Sequence, residues 1–159
     1  MTVGIEISGE YAGRKYNTAE AALKDVRKQN RERIKELQKL DIPMKKASIY
    51  LDRWVQSNFK SEGGKVGGWQ PFARGGRVTS DGIDTSARLL QDTGRLRASF
   101  LPFATKKTAG ISSDLDYAKT HEYGTGDVPM RRMLPEKADV IDDIRRILKD
   151  FAVDAIKVK

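Results

Sequence analysis

The sequence predicts an α+β fold: a small, mainly antiparallel sheet packed against long helices, with a long glycine-rich loop. Three observations lead there. Val140, Ile141, Ile144, Ile147, Leu148, Phe151 and Ala155 form the cleanest amphipathic stripe in the chain. Residues 17–59 hold two further stretches of helical period. Short extended runs follow a glycine-rich loop, so the order is strand, helix, helix, loop, two or three strands, helix. The 159 residues fit one domain, 1–159, in which 61–86 is a loop or arm.

Taken in order, residues 2–8 alternate, with Val3, Ile5 and Ile7 on one face, as in a half-buried strand. Asn17 and Glu20 have capping-box spacing, so a helix should start there and run to about Leu40. Its apolar residues are Leu23, Val26, Ile34, Leu37 and Leu40, and Asn30 and Arg33 interrupt the stripe. Two readings of that broken stripe stand: a helix wet at its centre, or one that finishes its burial on a neighbouring subunit. Asp41-Ile42-Pro43 ends this helix and opens the next, with Pro43 suited to a first turn. Met44, Ala47, Leu51, Trp54, Val55 and Phe59 give the second helix its core face, with Trp54 and Phe59 as core residues.

Residues 61–86 are rich in glycine and show no periodicity. Loops this long inside a compact domain are functional or disordered. Trp69-Gln70-Pro71-Phe72 is an aromatic cluster that must dock somewhere. It either folds back onto the domain or belongs to an arm ordered by a partner, which would also use Arg74 and Arg77.

Residues 87–91 read as a helical turn, Asp92-Thr93-Gly94 as a turn, and 96–104 as a strand. Residues 106–108 form a hairpin turn and 109–113 the returning strand. Residues 117–123 are a helical turn, Gly124 and Gly126 a hinge, and Val128-Pro129-Met130 extended because a residue before proline avoids the α region. Pro135 opens the last helix, with Asp139, Asp142 and Asp143 early and Lys149 and Lys157 late, as the helix dipole prefers.

Composition excludes several classes of function. The chain has no cysteine, so disulfides, thiolate metal sites and cysteine nucleophiles are out. No apolar run approaches the ~20 residues of a membrane span, and the N-terminus lacks a signal-peptide pattern. The net charge is +8, spread along the chain, which suits a solvated basic surface, an acidic protein partner or nucleic acid.

No catalytic constellation emerges. His121 is the one histidine, and no nucleophile-elbow pattern surrounds Ser99, Ser112 or Ser113. It reads as a hydrogen-bonded structural histidine. The run GGKVGG lacks the Walker spacing. Asp114 and Asp116 share a turn but offer too few ligands for a calcium loop. Hence no enzyme, no cofactor and no metal is expected.

Four blocks remain. They are Trp69-Gln70-Pro71; Leu90-Gln91-Asp92-Thr93-Gly94-Arg95-Leu96-Arg97-Ala98-Ser99; Tyr117-Ala118-Lys119-Thr120-His121-Glu122-Tyr123-Gly124; and Val128-Pro129-Met130-Arg131-Arg132-Met133-Leu134. In this order and with these gaps they resemble the phage virion morphogenesis family, the tail-completion proteins of Mu-like and P2-like tailed phages. The last block departs from the family's Ala-Arg-Pro-Phe-Leu.

The resemblance implies a structural virion assembly protein. It would form a ring, a hexamer where the tail is sixfold, at the head-proximal end of the tail and enable head–tail joining. Its implied partners are copies of itself, the tail tube protein and the head–tail connector or neck proteins. DNA contact would be incidental and no membrane is involved. The protein would be made in the host cytoplasm and end in the virion tail or neck. A tail terminator that stops tube polymerisation is the alternative within this class, and a basic DNA-binding accessory module the alternative outside it. Residues expected at a partner or subunit interface are Trp69, Pro71, Phe72, Arg74, Arg77, Arg95, Arg97, Arg131 and Arg132.

Overall fold

The second predicted helix organises what surrounds it. In the computed structural model, which describes residues 9–11 and 14–157, this helix is α2, Asp41–Lys60. It follows α1, Ala19–Leu37. Pro43 sits in the first turn of α2, where a missing N–H leaves no gap in the helical bonding. Ala47, Trp54, Val55 and Phe59 are buried along one face, as their spacing predicts. Val55 and Phe59 are fully enclosed. With Trp69, Leu89, Leu96, Phe100, Ala118 and Met133 they form the apolar core.

The fold is α+β. Its strands form three separate two-stranded antiparallel sheets: β1 (Gly9–Tyr11) with β2 (Arg14–Tyr16), β3 (Arg77–Thr79) with β4 (Gly82–Asp84), and β5 (Leu101–Ala104) with β6 (Ala109–Ser112). The β5–β6 hairpin packs against α2. Across it Phe103 pairs with Gly110, and its ring fills the space a side chain at Gly110 would need. Contacts gather the chain into two compact units, Met1–Lys39 with Lys149–Lys159, and Leu40–Leu148.

Several boundaries differ from expectation. The strand predicted for 2–8 lies outside the described residues. The cap of α1 is Thr18, not Asn17: its hydroxyl accepts from Ala21 N at 3.1 Å. The helix stops at Leu37, short of Leu40. No residue of α1 is buried; Val26 and Leu37 are half-buried, while Leu23 and Ile34 are 57% and 54% exposed.

The loop at 61–86 is not structureless. It holds a 3-10 turn, Gly64–Val66, and the β3–β4 hairpin. Its start is fixed by the end of α2: Gly63 N donates to Asn58 O, and Trp69 N to Glu62 O. Gly63 has φ +89°, and a Cβ there would lie 2.4 Å from the Trp69 ring. Only glycine allows the turn and the ring to occupy that corner.

Residues 87–91 form no helical turn; Leu90 takes φ +57° and packs against the core. The predicted strand 96–104 is helical in its first part, α3, Arg95–Ala98. Leu96 and Phe100 are buried while Ala98 is exposed. A strand would put all three on one face, whereas a helix separates Ala98 from the other two. The hairpin at 106–108, the returning strand and the helix over 117–123 (α4, Asp116–Tyr123) form as predicted. The last helix, α5, starts at Lys137 and runs to Ile156. Asp139 Oδ2 accepts from Glu136 N at 2.8 Å ahead of its first turn.

Tyr50 ties α2 to α5 by donating its hydroxyl to Asp143 Oδ2 at 2.5 Å. Burial, then the carboxylate it bonds, pushes its pKa up to about 12. Tyr50→Phe is expected to lower stability at pH 7 by about 1 kcal/mol, since the pair is only partly buried. A raised folded pKa means the stabilisation is complete below tyrosine's ordinary value near 10 and is lost as pH passes through about 12. Urea unfolding of both proteins should show the gap closing over that window.

Candidate functional site

The first and third sequence blocks meet the fourth in one strap, residues 128–134, which has almost no regular secondary structure. Where such a segment is buried, as at Arg131 and Met133, its backbone polar groups must find partners. Trp69, Glu122 and His121 of the other blocks supply them, with Asn58 of α2. Glu122, on α4, accepts from Met133 N at 2.6 Å and from Leu134 N at 3.2 Å through the same oxygen. Trp69 Nε1 donates to Arg132 O at 2.8 Å. Asn58, fully buried on α2, donates to Arg132 O at 3.0 Å and to Met133 O at 3.3 Å. Arg131 N donates to His121 O at 2.7 Å. Met133 is thereby held in the core with no exposed surface.

The remaining blocks shape the cradle. Gln91 Nε2 donates to Phe59 O at 2.8 Å near the end of α2. Gly94, at φ +73°, lets the Asp92-Thr93 turn enter α3. Beside the hinge, a Cβ on Gly124 would lie 2.8 Å from Met130 N. The residues that carry the resemblance therefore have structural work within the chain.

Burial sets the charges here. Burial raises the Glu122 pKa above the ordinary carboxylate value, outweighing the two N–H bonds and Arg132, which favour the charged form. Burial, then the nearby Arg131 charge, lowers the pKa of His121. Its Nδ1 is buried with no hydrogen-bond partner among the described residues, so the expected side-chain hydrogen bond at that nitrogen is not found. What bonds is its backbone carbonyl.

The predicted interface residues divide sharply. Trp69 is buried, with its ring edge-on to Phe59 at 5.2 Å, so of the two readings of the aromatic cluster folding back describes Trp69. Arg131 is buried and its Nε donates to Gln70 O at 3.0 Å; desolvation lowers its pKa. Arg132 pairs with Glu136 and Asp139, both at 3.0 Å. Arg97 Nε donates to Gln56 Oε1 at 2.6 Å. These four are used inside the chain. Pro71 and Arg74 are exposed. Phe72, Arg77 and Arg95 line one groove of about 280 Å³ with Arg88, Asp92, Tyr117 and His121.

Asn58, Glu122 and Gln91 were missed as site residues. Asn58 did carry a signal, an amide within the apolar stripe between Val55 and Phe59. Among the described residues no cluster of three or more His, Cys, Asp or Glu side chains is placed to hold a metal, and no helix is long and apolar enough to cross a membrane. Compared with family models, with curated proteins and with solved structures, the chain finds no match.

Proposed function

We propose that the chain is a structural virion assembly protein, a tail-completion or neck protein that forms a ring at the head-proximal end of a phage tail and enables head–tail joining. The four ordered blocks suggest the family. The observation that carries the assembly reading is α1, a helix of 19 residues with none buried. Leu23 and Ile34 lie three turns apart, on one line, and both face water. A helix this long draws most of its stability from packing, so two unburied apolar side chains on one line fit a surface completed by another copy. Rings are built from different patches meeting head to tail, which accommodates such a one-sided surface.

The test is mass photometry of the purified chain with and without tail tubes. A closed oligomer is expected. The double variant Leu23→Glu, Ile34→Glu should abolish it while changing stability by no more than about 0.5 kcal/mol per exposed site. Monomers under every condition, or rings that survive the double variant, would sink this reading. Imaging of tails made without the protein separates two roles. Over-long tubes indicate a terminator, and tubes of normal length without heads a completion factor.

A second reading rests on a different face of the same helix. Lys24, Lys28, Arg31 and Lys35 are exposed at i, i+4, i+7 and i+11, a cationic stripe that fits a polyanion. This is the basic DNA-binding module. Its affinity should fall steeply with salt, and absence of DNA retardation at low salt removes it.

A further inference from the structure

The groove of about 280 Å³ bounded by Phe72, the Asp92-Thr93-Gly94 turn and α4 has an unbalanced lining. Three arginines line it, Arg77, Arg88 and Arg95, together with Thr93, Tyr117 and His121. Asp92 is its one carboxylate, and that group already pairs with Arg77. Arg77 also meets Asp84 at 3.6 Å, and Arg88 meets Glu62 at 3.2 Å and the carbonyl of Lys60. Two of the three positive charges are thus answered by carboxylates. Arg95 is not: its guanidinium makes no hydrogen bond or ion pair among the described residues, and it is exposed.

Two enclosed nitrogens of residues in this lining also lack partners. Arg77 Nε and His121 Nδ1 are both buried without a hydrogen bond among the described residues. Native structures leave few such atoms, and here two belong to residues that line one groove. The Tyr117 hydroxyl, on a residue 41% exposed, also has no partner among the described residues. Guanidinium charge therefore exceeds carboxylate charge across the lining, three to one. A guanidinium offers five N–H donors in a planar fork and no acceptor. The complementary ligand is small, rich in acceptors and anionic, and a tetrahedral oxyanion meets such forks with paired, charge-assisted bonds.

We propose that this groove binds a phosphate group, with Arg95 supplying the uncompensated charge. The assignment does not depend on ring formation. The probe is inorganic phosphate titrated into the full chain at low salt and followed by NMR, with sodium chloride of equal ionic strength as control. Saturable shifts are expected at Thr93, Gly94 and Arg95, with a dissociation constant on the order of 1 mM or below. Arg95→Gln should weaken binding about tenfold, as removal of a charged hydrogen-bonding partner does. Arg95 is exposed, so the variant should unfold at the same urea concentration as the parent.

A short single-stranded oligonucleotide distinguishes the sources. Shifts of the same residues with the oligonucleotide assign a phosphodiester, and shifts with inorganic phosphate alone assign a free phosphate. Phosphate shifts no larger than those from chloride overturn the proposal. So does an Arg95→Gln chain that titrates like the parent.

Discussion

Trp69→Ala is expected to destabilise the chain by about 3–5 kcal/mol, the range for removing a large buried aromatic. Total stabilities run to only about 5–15 kcal/mol, so this is a large share of the whole and the urea midpoint should fall far. Three losses combine. The ring leaves a cavity beside Gly63, whose lack of a side chain exists to admit it. The edge-on contact with Phe59, at 5.2 Å and 83°, disappears. The bond from Nε1 to Arg132 O is lost. Trp69→Phe separates these. It keeps most of the apolar volume and removes the bond, and Arg132 O still accepts from Asn58. Its expected cost is therefore about 1 kcal/mol plus a smaller packing loss. Urea unfolding followed by circular dichroism reads both. A Trp69→Ala loss under 1 kcal/mol would mean that Trp69 is not the core residue described here, and the arm reading of 61–86 would return.

What the sequence reveals follows what governs each element. Helices α2 and α5 are decided by apolar residues recurring over five turns, a long-range signal that survives local ambiguity. The interval 96–104 carries too short a signal: Leu96, Ala98 and Phe100 fit a strand face, and only the tertiary burial of the first and last decides for a helix. Residues 61–86 look patternless because their order comes from a very short hairpin and from single contacts rather than from a repeating stripe. Trp69 reaches Arg132, and Arg77 reaches Asp84 and Asp92. The strap follows the same logic. Its sequence shows a proline-marked extended segment, but the donors and acceptors that hold it lie on other elements. Arginines are informative as a class and ambiguous one by one. Arg95 and Arg131 look alike in sequence, yet one faces solvent and the other is enclosed.

Glu122 gives the sharpest test of the strap. Glu122→Ala leaves Met133 N and Leu134 N without their acceptor, and Met133 is fully buried. An orphaned buried donor costs about 1–3 kcal/mol, so a loss of about 2–5 kcal/mol is expected. Glu122→Gln keeps an acceptor oxygen and removes the charge, and its stability at pH 7 should lie within about 1 kcal/mol of the parent. The pH dependence separates bonding from charge. Burial raises the folded pKa of Glu122, so the folded state favours the neutral acid relative to the unfolded chain. That contribution is fully present below the unfolded value, near 4.3, and is lost as pH rises through the folded value. The parent should therefore lose ground to Glu122→Gln from pH 4 upward, until the carboxyl is ionised in the folded state. Urea midpoints of the two proteins at successive pH values give the difference directly. A parent that gains on the glutamine variant as pH rises would show that the two N–H bonds and Arg132 outweigh burial, and Glu122 would then be a charged anchor of the strap.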